Sequence, residues 1–319
     1  MAHNITKHFI APLLMAAALV LAGCGTPVVG AEHTQLDLGD RPIRVVATTG
    51  QVADTVRNVG GARVNVTALM GPGVDPHLYK ASARDVIAIQ NADVVFYNGL
   101  ELEGRMTEIF ERLARTRPVY PVSRAIPSER LRPSDQYQNA FDPHIWFDPT
   151  IWSYAVDEVA RRLAQLDPAY EALYLANAER YKQALAELDR YAQEQIARIP
   201  PRSRVLITAH DAFGYFGDRY GFEVHGLQGI STASEAGAAD VQRLAQFIVD
   251  RQIRAIFVES SVPQATVRAV QEAVRARGGE VAIGGELFSD ALGAEDTPEG
   301  TYIGMFRYNI DTIVSALTG

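Results

Sequence analysis

Between Pro168 and Pro200 the chain contains neither Gly nor Pro. Through this stretch Tyr174, Ala178, Tyr181, Leu185, Leu188, Ala192, Ile196 and Ile199 follow one another at gaps of three and four. That spacing traces a single apolar stripe on an α-helix. Asp167 is suited to cap the start, and Pro168 to occupy the first helical position. A helix over 168–198 spans roughly 46 Å at ~1.5 Å per residue, long enough to run the length of a two-lobed protein. A helical hairpin inside one lobe would need a turn signal, and the stretch has none.

On both sides of this segment, short apolar runs alternate with longer amphipathic ones. Strands are expected over 45–49, 64–70, 94–97 and 119–122, with helices over 52–59, 83–90 and 106–114. After the segment, strands are expected over 205–208, 222–225, 255–258 and 281–283. Helices should fall over 211–220, 236–251, 264–275 and much of 300–317. Alternation of this kind implies parallel sheets flanked by helices. The expected fold is α/β: an N-terminal lobe over 42–166, a linking helix over 167–200 and a C-terminal lobe over 201–319.

The N-terminus reads as a targeting segment. Lys7 and His8 make a weakly basic start, and the apolar run over 13–22 is too short to span a bilayer comfortably. It ends in Leu21-Ala22-Gly23-Cys24, which resembles a bacterial lipobox. Cys24 is the single cysteine, which rules out an internal disulfide. A signal peptide over 1–23 and a flexible tether over 24–41 are expected. Lipid on Cys24 would hold the domain at the outer face of a membrane without inserting it. An ordinary secretory signal that happens to contain a Cys is the competing reading. The net charge of -8 argues against a nucleic-acid partner and suits a cationic cargo.

The tripeptide Asp-Pro-His occurs twice, as Asp75-Pro76-His77-Leu78-Tyr79 and Asp142-Pro143-His144-Ile145-Trp146. A third histidine, His210, closes the strand expected over 205–208. Ligands of open α/β sheets gather at the carboxyl ends of strands, so the cleft between the lobes is where these imidazoles would meet, and a shared metal ion is the commonest reason for such a meeting. Asp290 is the best candidate for a fourth ligand, with Glu286 and Glu259 as competitors. Glu259, at the end of the strand over 255–258, suits the role of orienting a histidine ring. Three imidazoles and a carboxylate suit Zn²⁺, or Mn²⁺ if both carboxylate oxygens bind, and match Ca²⁺ or Mg²⁺ poorly. Asp75 and Asp142 are expected to form Asx turns, Asp211 to cap a helix, and Tyr79, Trp146 and Phe147 to pack the cleft floor. His3, His8, His33 and His225 are assigned no role.

These segments, together with Thr208-Ala209-His210-Asp211-Ala212-Phe213-Gly214-Tyr215-Phe216 and Leu287-Phe288-Ser289-Asp290, resemble the metal-site signatures of zinc/manganese ABC-transporter solute-binding lipoproteins. The resemblance runs from about residue 43 to the C-terminus. It implies two α/β lobes joined by one rigid helix, with the metal held between them by His77, His144, His210 and Asp290. Manganese-selective members usually carry Glu at the position of His210. Zinc members often carry a His-rich loop where this chain has 132–140 without histidine. Zinc and manganese both remain open.

The implied activity is capture of a divalent ion and delivery to an ABC permease, by a monomer and without chemical turnover. Acid should release the ion, because the imidazoles must be neutral to bind it, and the long helix should resist wide hinge closure. Three rival readings are a zinc hydrolase with Glu259 as general base, a metal-stabilised surface adhesin and a binding protein for a metal chelate such as a siderophore. No His-Glu-x-x-His segment supports the first, and converging histidines are unnecessary for the last.

Overall fold

Strand β1 (Ile43–Ala47) is an almost wholly buried apolar run, as expected of a strand covered on both faces of a parallel sheet. The computed structural model describes residues 1–3, 35–134, 136 and 139–318. The expected signal sequence beyond residue 3, together with Cys24, lies outside the described residues. Among the described residues no helix is long and apolar enough to cross a membrane.

After β1 come α1 (Gly50–Gly60), β2 (Val64–Ala68), α2 (Ala83–Asn91), β3 (Val94–Tyr97), α3 (Thr107–Leu113) and β4 (Val119–Pro121). The strands form a parallel sheet in the order β2-β1-β3-β4. The order reverses direction next to β1, and at such a switch point the strand ends leave a crevice. Thr49 caps α1 through its side chain, and Ser82 with Asp85 forms a capping box for α2.

Helix α4 (Pro149–Leu166) follows the second Asp-Pro-His copy. Asp148 caps it, accepting the Thr150 N–H at 2.8 Å, and Pro149 takes its first position. Expectation had given that chemistry to Asp167 and Pro168. The Asp167 carboxylate is instead taken by the Arg63 guanidinium at 2.9 Å and the Tyr174 hydroxyl at 2.7 Å. Pro168–Tyr170 forms a 3-10 turn, and the linking helix α5 runs Glu171–Ile196. Every member of its apolar stripe is buried.

The C-terminal lobe contains β5 (Val205–His210), α6 (Gly214–Tyr220), β6 (Glu223–Gln228), α7 (Ala238–Arg251), β7 (Ala255–Glu259), α8 (Ala265–Ala276), β8 (Ala282–Leu287) and α9 (Tyr302–Thr318). β5 pairs with β6 and β7 with β8, both in parallel, and β5 runs beside β7. Helix α6 starts three residues after Asp211 and has no side-chain cap, so the capping role expected of Asp211 is not realised.

Helix α5 is tied to both lobes. Tyr181 donates its hydroxyl to Asp54 of α1 at 2.7 Å, and Asn177 donates to the Val59 carbonyl at 2.9 Å. Farther along, Asp189 accepts from Arg219 at 2.9 Å and from the Tyr220 hydroxyl at 3.0 Å, both on α6. One continuous apolar core follows the helix from Val45 and Val56 in the first lobe to Phe216 and Phe306 in the second.

Candidate metal centre

Each Asp-Pro-His copy folds the same way locally. The Asp75 carboxylate accepts the His77 backbone N–H at 2.8 Å, and Asp142 accepts that of His144 at 2.9 Å. These are Asx turns, and proline between the partners fixes the intervening φ. Gly73, at φ +71°, lets the first loop turn back towards the second lobe, where the Ser260 carbonyl lies close by.

His77 and His144 come from loops of the first lobe, His210 from the last residue of β5, and Asp290 from the segment after β8. The structure brings all four together. One ligand atom from each lies within 4.8 Å of every other. Nε2 of His77 and Nε2 of His144 are 3.3 Å apart. Asp290 reaches His144 Nε2 at 3.5 Å through one oxygen and His210 Nε2 at 3.3 Å through the other. His144 and His210 are fully buried, Asp290 is 1% exposed and His77 6%. His210 Nε2 and Asp290 Oδ1 are buried without a hydrogen-bond partner. Atoms left that way are costly unless something else satisfies them, and a cation bound among them would do so.

Two carboxylates set the histidine rings. Glu259 accepts from His210 Nδ1 at 2.5 Å and from the His210 backbone N–H at 2.8 Å. Asp142 accepts from His144 Nδ1 at 2.7 Å. When the ring is neutral, a proton held on Nδ1 leaves the Nε2 lone pair facing the centre. Asp290 is steadied by the Ser261 hydroxyl, which donates to it at 3.3 Å.

Protonation follows from burial and neighbouring charge. Burial, reinforced by His144 and His210, outweighs Asp290 and pulls the His77 imidazole down to about 3. Burial also works against charge on His210, but Asp290 and Glu259 together hold that ring well above its ordinary value. Burial alone would raise Asp290; His210 first, then His77 and His144, hold it well below the usual carboxylate range.

The remaining candidates lie elsewhere. Glu286 is exposed and accepts from Gln264 at 3.0 Å. His225 pairs with Glu223 on β6, and His3 is exposed. His8 and His33 lie outside the described residues. Tyr79 is not part of the cleft floor. Its hydroxyl donates to Asp85 at 2.7 Å, and its ring packs in a separate small core beneath α2. Trp146 does more than pack: its Nε1 donates to the Ser289 carbonyl at 2.9 Å, and its own carbonyl accepts the Tyr302 hydroxyl at 2.6 Å. Sequence reasoning missed both bonds, which join the lobes beside the centre.

The model of the family described as zinc-uptake complex component A, periplasmic, matches residues 45–316. The manganese-binding lipoprotein MntA of Bacillus subtilis is 48% identical over 308 residues, covering 95% of this chain and 98% of that protein. The zinc-binding protein TroA of Treponema pallidum is 52% identical over 274 residues, covering 86% and 88%. The solved structure of periplasmic zinc-binding TroA from Treponema pallidum superimposes with a TM-score of 0.85 at 50% identity, covering 87% of this chain and 100% of that one. On sequence and fold together, the chain belongs to the zinc-uptake component A family, the metal-binding solute-binding proteins of ABC transporters.

Proposed function

We propose that this protein captures a single divalent transition metal ion, zinc or manganese, outside the membrane and passes it to an ABC permease. His77, His144, His210 and Asp290 would be its ligands. The observation that carries this reading is the buried convergence of four ligand atoms from two lobes. The donor set is borderline in hardness, which suits both ions. Cys24 would carry the lipid anchor after removal of residues 1–23, with 24–41 as the tether, and the protein would act as a monomer.

The geometry does not favour a hydrolase. Catalytic zinc keeps one position open for water, whereas four protein ligands fill a tetrahedral sphere. Both oxygens of Glu259, the residue a hydrolase would use as base, already serve His210.

Metal analysis of the purified protein beside a His210→Ala variant tests the assignment. One tightly held ion per wild-type chain and none in the variant is the expected result. Stoichiometric, tight binding by His210→Ala would remove His210 from the ligand set and the proposed centre with it.

A further inference from the structure

The two Asp-Pro-His loops differ in how they meet the opposite lobe. The His144 loop is fixed at three buried points: Trp146 Nε1 to the Ser289 carbonyl at 2.9 Å, the Tyr302 hydroxyl to the Trp146 carbonyl at 2.6 Å, and the Tyr215 hydroxyl to the Asp142 carbonyl at 3.0 Å. Among the described residues the His77 loop carries no such clamp. Its bond to the second lobe runs through Asp75, whose Oδ1 accepts the His77 N–H and whose Oδ2 accepts the Thr232 hydroxyl at 2.6 Å. A single carboxylate therefore joins the backbone of a candidate ligand to a side chain of the opposite lobe.

Thr232 is 6% exposed and lies in the connection between β6 and α7. That connection also reaches the first lobe where the Ile230 N–H donates to the Gln136 side chain at 3.0 Å. It thus bonds to the first lobe at two points, Gln136 and Asp75, the latter beside His77, the most exposed of the four candidate ligands.

We infer that Thr232 is a positioning residue for the transported ion: through Asp75 its hydroxyl holds the His77 loop against the second lobe and sets how long the ion stays bound. The inference rests on the metal-capture reading above. A hydroxyl donated to a carboxylate is among the stronger side-chain hydrogen bonds, and its loss should raise the dissociation rate by about 10-fold or more. Changes confined to one contact of a preformed site act mostly on dissociation.

Thr232→Val removes the hydroxyl and keeps the shape, while Thr232→Ser keeps the hydroxyl. The experiment loads full-length wild type and both variants with Zn²⁺, then follows transfer to excess chelator by stopped flow. The expected result is one ion per chain in all three, release about 10-fold faster from Thr232→Val, and release at the wild-type rate from Thr232→Ser. A merely structural role would lower the melting temperature of the metal-free protein and leave the release rate alone. Should Thr232→Val lose its native circular dichroism, Thr232→Ala carries the same measurement and the same expectation. Equal release rates from three stoichiometrically loaded proteins would overturn the role of Thr232 and leave metal capture standing. Failure of the wild type to bind Zn²⁺ and Mn²⁺ alike would overturn both.

Discussion

Glu259 holds His210 at two points, with Oε2 2.5 Å from the ring Nδ1 and Oε1 2.8 Å from the backbone nitrogen. Because β5 runs beside β7, this carboxylate at the end of one strand meets the histidine at the end of the other. Glu259→Gln should keep the fold and weaken zinc binding by about 10- to 100-fold, the usual effect of losing an orienting partner. Competition against a chromophoric chelator reads the change. Undiminished affinity would mean that His210 is oriented by something else.

Trp146 ties the lobes together beside the centre. Trp146→Phe removes its Nε1 donor and part of its volume, and strands the buried Ser289 carbonyl. The expected cost is about 2–4 kcal/mol of stability, measured by denaturant unfolding of the metal-free protein. A loss within experimental scatter would show that this bond contributes nothing net.

Helix α5 is bonded to α1 at one end and α6 at the other, and its whole apolar stripe is buried. A helix held in that way has no free linker in which a wide hinge could form. Small-angle scattering should give radii of gyration for metal-free and zinc-loaded protein that cannot be told apart. A clear contraction on loading would contradict a rigid link.

Near the start of the first lobe, half-buried Asp93 accepts from Arg41 at 2.6 Å and from Arg44 at 2.9 Å. Burial pushes its carboxyl up, but the two guanidinium groups overcome that and hold it well below the ordinary 3.8. A carboxyl depressed in the folded state stabilises it when ionised. The contribution is in place above the unfolded value and is lost as pH falls through the folded one. Asp93→Asn should therefore cost about 1 kcal/mol at neutral pH, allowing for solvent screening by exposed partners. The gap between wild type and variant should close as unfolding is followed below about pH 4. A gap that stays constant with pH would assign the cost to packing.

Much of this was legible in the sequence because local chemistry carries it. Gaps of three and four from Tyr174 to Ile199 announce one helical stripe. The repeated Asp-Pro-His and the strand end at His210 place three imidazoles where α/β sheets gather ligands. Capping was less legible, since Asp148-Pro149 and Asp167-Pro168 offer the same chemistry and the positions of Arg63 and Tyr174 decide that Asp167 is used elsewhere. Tyr79 reads like Trp146 in sequence, yet Asp85 draws its hydroxyl away from the cleft. The bonds across the lobes, Trp146 to Ser289 and Asp75 to Thr232, could not be read at all. They join residues 143 and 157 positions apart, and depend on how the two lobes dock.

The most direct measurement is anomalous diffraction from a crystal of the zinc-loaded protein, collected at the zinc edge. The expected map has one strong peak, within about 2.0–2.2 Å of Nε2 of His77, His144 and His210 and of an Asp290 oxygen. A peak elsewhere, or one that leaves any of those four side chains beyond bonding reach, would contradict the proposed centre.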